Sequence, residues 1–206
     1  MSLVLYTNPM SRGRIAHWMI EETGAPYETR WLRYGPEMNS PEYAAVNPMR
    51  KVPAVMHDGK VVTECAAICL YLADAFPEAG LAPALPDRAA YYRWMLFAAG
   101  PWEQANVNRA LGFTVPPERS MMAGYGDFER TLATLLAQVP KEGFLLGERF
   151  SALDVYFGSH IDWAVGFGAI PSSPELEPYL ERIRARPAYL RAAKQAEAAA
   201  PEYGPG

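Results

Sequence analysis

Residues 51–72, KVPAVMHDGKVVTECAAICLYL, constrain the fold of this chain more than any other stretch. Asp58-Gly59 separates two short apolar runs, and this dipeptide favours a two-residue hairpin because such turns need positive φ angles. The two predicted strands are Pro53–His57 and Lys60–Thr63. Directly after them the spacing becomes that of an amphipathic helix, i, i+3, i+4 and i+7, which is met by Cys65, Ile68, Cys69 and Leu72. The stretch therefore predicts a β-hairpin that runs into a helix.

Strand and helix signals alternate before this hairpin. Leu3–Tyr6 is an apolar run ended by Thr-Asn-Pro, and Ser11 is placed to cap a helix that closes near Gly24. Tyr27–Leu32 alternates as a second strand, and Pro41–Val46 suits one short helix. The predicted order over the first eighty residues is β-α-β-α-β-β-α.

The second half of the chain reads as helical. Gly100-Pro101 should kink or break a long helix, because proline cannot donate to the preceding turn. Another helix is predicted over Glu118–Gln138. In FSALDV, Ser151 and Asp154 have the spacing of a helix-capping box. The final PEYGPG is predicted to be a frayed tail.

The domain organisation follows from these signals and from three prolines in FPEAGLAPALPD. We predict an α+β domain over residues 1–77, a linker over 78–86 and an all-helical domain over 87–206.

Composition excludes several classes of protein. Half of the 206 residues are hydrophobic, which is enough for a substantial core, and the net charge of −4 with no basic cluster argues against a nucleic-acid partner. The longest apolar run is too short to cross a membrane, and the first residues lack the apolar core of a signal peptide. A cytoplasmic protein is expected. Two free thiols are expected at Cys65 and Cys69, rather than a disulfide, because they lie four residues apart on one helix. No histidine lies near them, so no metal is expected.

Pro53 and Glu64 pose a joint question about ligand binding. One interpretation of Pro53 is a proline that starts an edge strand. The other is a cis Val52–Pro53 bond, which would turn the Val52 N–H and C=O outward to pair with a peptide-like ligand. The start of the next helix offers free N–H groups to a carboxylate, while Glu64 can accept bonds from an ammonium. Together these features predict a pocket for a short peptide with a free amino-acid head group, such as glutathione.

The order of these motifs resembles a known family. The β-α-β-α-β-β-α order, the Val52-Pro53 step, Glu64-Cys65 about a dozen residues on, the proline linker and the FSALDV cap are similar to a cytosolic glutathione S-transferase of bacterial type. The resemblance implies a thioredoxin-like N-terminal domain followed by an all-α C-terminal domain. It also implies a homodimer that acts in detoxification, with glutathione as co-substrate.

The resemblance assigns roles to a first set of residues. Val52 corresponds to the residue whose backbone pairs with the cysteinyl unit of glutathione, and Pro53 to the cis proline after it. Glu64 and Cys65 correspond to the acid and the small polar residue that hold the γ-glutamyl head. Lys51 stands where a basic residue meets the glycyl carboxylate. One departure is Cys65, because the family usually has serine there and a thiol is a weaker donor than a hydroxyl.

The catalytic donor is less well defined by the sequence. The reaction needs a group that stabilises the glutathione thiolate, and family members place Tyr, Ser or Cys after the first strand. Aligning LYTNPMSRGR on Arg12 puts Asn8 where some classes keep the serine, while Ser11 precedes Arg12 at the helix start. We expect Ser11 or Asn8 to be the donor, with Tyr6 packed in the sheet. Arg12 is a candidate for neutralising a ligand carboxylate.

Three functions remain open. The first is a transferase that directs glutathione thiolate at a hydrophobic electrophile. The second is a glutathione-dependent peroxidase or disulfide reductase, although the chain has no Cys-x-x-Cys pair of its own. The third is a non-catalytic glutathione-binding or regulatory module. Aromatic residues of the second half are candidates for an apolar co-substrate pocket, at Tyr92, Trp94, Phe97, Trp102 and Phe113. The three histidines, His17, His57 and His160, are expected to be structural.

Overall fold

The computed structural model describes Ser2–Gly204 and contains the predicted order of elements at the N-terminal end. Each strand and helix lies within a few residues of its predicted position, so the order β-α-β-α-β-β-α is confirmed. The bounds are β1 Leu3–Thr7, α1 Gly13–Thr23, β2 Glu28–Trp31, α2 Pro41–Val46, β3 Ala54–His57, β4 Lys60–Thr63 and α3 Cys65–Ala75.

The four strands form one mixed sheet in the order β2-β1-β3-β4. β1 pairs with β2 in parallel and with β3 antiparallel, and β3 pairs with β4 antiparallel. Asp58 and Gly59 have φ angles of 47° and 79°, which confirms the predicted two-residue hairpin. Because β3 lies inside the sheet, the edge-strand interpretation of Pro53 is wrong. The Val52–Pro53 bond is cis, as the alternative predicted.

The core of this part of the chain is formed by the sheet, α1 and α3. Leu5 and Val55 from the central strands are fully buried, and so are Met19 of α1 and Leu72 of α3. The thiol of Cys69 is equally buried, and burial raises its pKa well above the ordinary value. Cys69 is therefore a core residue, as its place in the helix stripe predicted.

The remaining residues are mostly helical. The helices are α4 Arg88–Phe97, α5 Glu103–Ala110, α6 Phe128–Leu136, α7 Ala152–Gly166, α8 Glu177–Arg184 and α9 Pro187–Tyr203, with a π-helical turn at Ala98–Trp102. That turn lies where Gly100-Pro101 was predicted to disturb the helix, because Pro101 has no N–H to continue the regular ladder. Among residues 2–204, no helix combines the length and apolarity that crossing a bilayer requires.

Two predictions about helices need correction. The single helix predicted over Glu118–Gln138 is a 3₁₀ turn at Pro117–Met122 followed by α6, because Gly126 has a φ of 73° and Asp127 caps a new helix through the Arg130 N–H at 2.8 Å. The predicted frayed tail is helical as far as Tyr203, where α9 ends. Pro205 and Gly206, also part of that tail, lie outside the described residues.

The capping box at the start of α7 is confirmed. Ser151 accepts from the Leu153 N–H, and the Asp154 carboxylate accepts from the Ser151 N–H at 2.9 Å. Asp154 is fully buried and also accepts from the Leu145 N–H at 2.9 Å and the Tyr179 hydroxyl at 3.2 Å. The cap therefore also ties α7 to a preceding loop and to α8.

The contacts between residues divide the chain into two compact units. The first contains the described residues up to Ala82 together with those from Arg184 onward, and the second contains Pro83–Ile183. Helix α9 packs on α1 within the first unit. The predicted domain bounds, 1–77, 78–86 and 87–206, stay a prediction, because packing alone does not show which segments fold independently.

Candidate functional site

The predicted binding residues gather at one edge of the sheet. The register pairs Tyr6 with Ala54 and Ala54 with Thr63. The end of β1, the start of β3 and the end of β4 therefore lie side by side. The segments that continue from these three points carry Asn8–Arg12, Lys51–Pro53 and Glu64–Cys65.

The loop before β3 is held through the carbonyl oxygen of Lys51. This oxygen accepts hydrogen bonds from the Tyr43 hydroxyl at 2.6 Å and from Asn47 Nδ2 at 2.7 Å. Both donors are buried, and Asn47 Oδ1 also accepts from the Met49 N–H at 3.0 Å. Tyr43 reaches this position because Ser40 caps α2. Sequence reasoning missed Tyr43 and Asn47. The only signal for them was the short helix α2, which was predicted correctly, contains Tyr43 and ends just before Asn47.

Val52 is the residue that this loop presents. Pro53 is buried, Val52 is half-buried and the Lys51 side chain is exposed. Within Ser2–Gly204, neither the N–H nor the carbonyl of Val52 pairs with another main-chain group. An unpaired donor and acceptor next to a strand can pair with an extended peptide, as in strand-addition binding.

Glu64 stands at the start of α3 with an unusual backbone. Its φ and ψ angles are 64° and 114°, outside the regions that side chains ordinarily allow, and its side chain is exposed and makes no capping hydrogen bond. Strain of this kind concentrates at ligand-binding sites, where the surrounding structure holds it in place. The side chain thus leaves the first N–H groups of its own helix uncapped.

Cys65 joins the start of α3 to the loop after β1. Its half-buried Sγ lies 3.6 Å from the carbonyl oxygen of Arg12, to which the thiol donates. The Arg12 side chain is exposed. The structure therefore brings two of the predicted segments into direct contact.

The loop after β1 turns tightly into α1. The Ser11 hydroxyl donates to the Asn8 carbonyl at 2.8 Å and accepts from the Gly13 N–H at 3.0 Å. A Cβ atom on Gly13 would collide with Thr7 Oγ1, so only glycine permits this close approach. Sequence reasoning did not identify Gly13. Ser11 itself is half-buried, and the prediction that it caps α1 is wrong, because the helix starts at Gly13 with Arg12 as its N-cap residue.

Asn8 is enclosed, in contrast to Ser11. The Asn8 side-chain amide donates one hydrogen to the Leu32 carbonyl and the other to the Tyr203 carbonyl, each at 2.8 Å. Asn8 is fully buried. Tyr6 is also buried, and its hydroxyl accepts from Arg30 at 3.2 Å. Of the two predicted donors, Asn8 has both amide hydrogens engaged within the protein, whereas Ser11 is half-buried.

The histidines lie in packed surroundings. His17 Nε2 pairs with the Tyr27 hydroxyl at 2.7 Å and His57 Nδ1 with the Tyr71 hydroxyl at 2.9 Å, while His160 is buried beside Glu103. Among residues 2–204, no group of three or more His, Cys, Asp or Glu side chains is arranged to hold a metal ion.

The helical unit contains a cavity of about 620 Å³. It is lined in part by Phe113, Tyr125 and Phe128, and the guanidinium of Arg109 lies 4.0 Å from the Phe128 ring centre. The size is typical of small-molecule sites. Phe113 was one of the predicted pocket residues, whereas Trp94 and Trp102 are buried in the core.

Comparison with known proteins extends this description of a thioredoxin-like unit and a helical unit. Residues 10–75 match the family model of the glutathione S-transferase N-terminal domain. Protein LigF of Sphingobium sp. is 51% identical over 59 residues, which are 28% of this chain and 23% of LigF. Maleylacetoacetate isomerase of Pseudomonas aeruginosa is 28% identical over 168 residues, 78% of this chain and 79% of that protein. The crystal structure of a glutathione transferase from Methylococcus capsulatus is 29% identical with a TM-score of 0.77, over 95% of this chain and 99% of that one.

Residues 10–75 thus carry the glutathione S-transferase N-terminal domain, and the chain has the thioredoxin-like plus all-helical fold that was predicted.

Proposed function

We propose that this protein is a glutathione transferase, which binds glutathione and stabilises its thiolate for attack on a hydrophobic electrophile. The observation that carries the proposal is the convergence of three segments at one sheet edge. The unpaired Val52 backbone, the start of α3 at Glu64-Cys65 and the Ser11 loop meet there. Each supplies chemistry that a different part of the tripeptide needs.

The binding roles follow from the available groups. Val52 N–H and C=O pair with the cysteinyl backbone of glutathione. The exposed Glu64 carboxylate accepts from the ammonium of the γ-glutamyl head, and the free N–H groups of α3 hold its carboxylate. The thiol of Cys65 is committed to the Arg12 carbonyl, so the main chain there replaces the missing serine hydroxyl as donor. Lys51 and Arg12 supply positive charge for the glycyl carboxylate.

The catalytic role falls to Ser11. Its hydroxyl hydrogen points to the Asn8 carbonyl, and a bound thiolate offers a stronger, charge-assisted acceptor to which that hydrogen can turn. The Gly13 N–H keeps donating to Ser11 Oγ and holds it in place. The stabilised sulfur then forms a bond to the electrophilic carbon while the leaving group departs with its bonding electrons. Removing such a donor costs about 10²–10³ in rate in oxyanion holes, and less where water reaches the sulfur.

The wider setting is part of the same proposal. The aromatic residues that line the cavity of the helical unit suit an apolar small molecule. As the family resemblance implies, we propose a cytoplasmic homodimer with a role in detoxification. The half-buried Cys65 thiol favours one alternative, a glutathione-dependent disulfide reductase or peroxidase.

Titration calorimetry with glutathione, followed by turnover of a model aryl halide, tests the proposal. We expect a dissociation constant in the micromolar-to-millimolar range typical of enzyme substrates. S-methylglutathione should compete for the site. Absence of binding up to high millimolar glutathione would overturn the proposal. Binding with turnover of a hydroperoxide or mixed disulfide, and none of the aryl halide, would favour the redox alternative. Binding without any turnover would indicate a non-catalytic glutathione-binding or regulatory module.

A further inference from the structure

The last turn of α9 lies against the loop that carries Ser11. Asn8 Nδ2 donates to the Tyr203 carbonyl at 2.8 Å across 195 residues of sequence; Asn8 is fully buried, and Tyr203 is half-buried. Both residues belong to the first compact unit. The chain therefore returns at its far end to the point where β1 leaves the sheet.

Asn8 is bonded through every polar atom of its side chain. Besides the bond to Tyr203, Nδ2 donates to the Leu32 carbonyl, and Oδ1 accepts from the Met10 N–H, both at 2.8 Å. Its main-chain carbonyl accepts from the Ser11 hydroxyl at 2.8 Å and from the Ser11 N–H at 3.2 Å. The position of Ser11 is thus set by Asn8, whose own position is set by β2 and α9.

Arg33 closes the same contact from the exposed side. Its Nη2 lies 2.8 Å from Glu202 Oε1, its Nε donates to the Glu202 carbonyl at 3.2 Å, and its guanidinium is 4.7 Å from the Tyr203 ring centre. Glu37 orients Arg33 through a 2.7 Å ion pair. A helix leaves its last carbonyls without partners in the helix. Here Asn8 and Arg33 satisfy two of them, at Tyr203 and Glu202, so the helix end and the loop stabilise each other.

We propose that the last turn of α9 is a latch that holds the Ser11 loop, and that Asn8 is a positioning residue that acts through Ser11 and does not itself donate to the glutathione sulfur. The effect on the sulfur rests on the proposed function, whereas the latch itself does not. Opening the latch frees Asn8, and the Ser11 hydroxyl then no longer has a single position from which to meet the thiolate.

Two variants open the latch in different ways. A chain shortened to end at Ala200 lacks the Tyr203 carbonyl to which Asn8 donates. Arg33→Ala removes the contacts of Arg33 with Glu202 and Tyr203 and leaves the Asn8 side chain unchanged. Glu197→Ala is the matched control, because Glu197 is an exposed α9 residue outside the last turn. In the absence of glutathione, we expect amide hydrogen exchange at Met10 and Ser11 to rise about tenfold in the shortened chain, as for the loss of one hydrogen bond, and less in Arg33→Ala.

The thiolate absorbance of bound glutathione, measured against pH, gives the second readout. We expect the pKa of the bound thiol to rise in both opened variants. The affinity for glutathione should change less than that pKa. Unchanged exchange in both variants would overturn the latch. Faster exchange with an unchanged thiol titration would overturn the positioning role of Asn8. If the wild-type chain binds no glutathione, the proposed function fails, while the exchange measurement still tests the latch.

Discussion

The Tyr43 hydroxyl donates to the carbonyl oxygen of Lys51 at 2.6 Å, and this bond fixes the peptide from which Val52 presents its backbone. Burial raises the pKa of Tyr43 to about 12, so the hydroxyl keeps its hydrogen throughout the neutral range. A side chain on α2 thereby holds the loop that, in the proposed function, pairs with the ligand backbone.

Tyr43→Phe should weaken glutathione binding by a few-fold and lower the free energy of unfolding by about 1 kcal/mol, since Asn47 still donates to the Lys51 carbonyl. Tyr71→Phe is the matched control, because Tyr71 bonds His57 and not the loop. Calorimetry and urea unfolding measure the two effects. Equal loss of affinity in both variants would contradict a specific role for Tyr43.

Glu64→Gly should separate stability from binding. Glycine adopts the φ of 64° without strain, so relief of about 1–3 kcal/mol opposes its entropic cost of about 0.5–1 kcal/mol, and the variant should be at least as stable as the wild type. Glutathione affinity should fall by about 1.5–3 kcal/mol, as for a lost bond to a charged group. Glu64→Ala keeps the strain and should lose affinity alone. Retained affinity in both variants would show that the carboxylate does not meet the ammonium.

Ser11→Ala should raise the pKa of bound glutathione and reduce turnover at neutral pH, with little change in affinity. The thiolate absorbance measured against pH is the direct test. Ser172→Ala is the control, because the exposed Ser172 hydroxyl bonds Glu177 in the helical unit and its loss should leave the sulfur unaffected. A bound thiol that titrates as in the wild type would exclude Ser11 as the donor.

Arg186→Ala should loosen α9 from α1. Arg186 makes two bonds to the Glu22 carboxylate, at 2.6 and 2.7 Å, and the Glu22 side chain is only 5% exposed. Losing a bond to a buried charge should lower the free energy of unfolding by about 1.5–3 kcal/mol. Glu28→Ala breaks the exposed Glu28–Arg30 pair and should leave the melting temperature nearly unchanged. Equal effects of the two substitutions would contradict this account.

His17 should make stability depend on pH. Burial lowers the pKa of His17 below 6.5, and this effect outweighs the nearby Glu21 charge and the Gln195 hydrogen bond, which raise it. The unfolded chain therefore binds a proton more readily, and stability should fall as pH drops below about 6.5, by at most about 1.4 kcal/mol per pH unit. Urea unfolding between pH 5 and 8 should show a weaker dependence in His17→Gln. An identical slope in the variant would assign the effect to other groups.

Local signals explain the parts of the fold that could be predicted. The Asp58-Gly59 turn and the capping box of Ser151 and Asp154 each rest on residues within a few positions of one another. The prediction of one helix over Glu118–Gln138 was wrong because the helical pattern of the sequence continues across Gly126. The positive φ of Gly126 interrupts the helix there, and Asp127 caps a new one.

The site could be predicted only in its linear motifs. Val52-Pro53 and Glu64-Cys65 are visible in the sequence, but the partners that hold them are remote. Nothing near Asn8 indicates that its amide is used by Tyr203, and on this contact we base the proposal of Ser11 over Asn8 as the donor. Bonds between distant segments leave no periodic trace, which is why these partners were missed.

The place of α9 has a consequence for biosynthesis. The first compact unit takes its final helix from residues synthesised after the whole of Pro83–Ile183. Domains that are continuous in sequence can fold as they emerge from the ribosome. Here the sheet can form early, but the α1 surface that receives α9, and the buried amide of Asn8, must wait for the last helix to be translated. The Ser11 loop can thus reach its final conformation only after α9 has been translated.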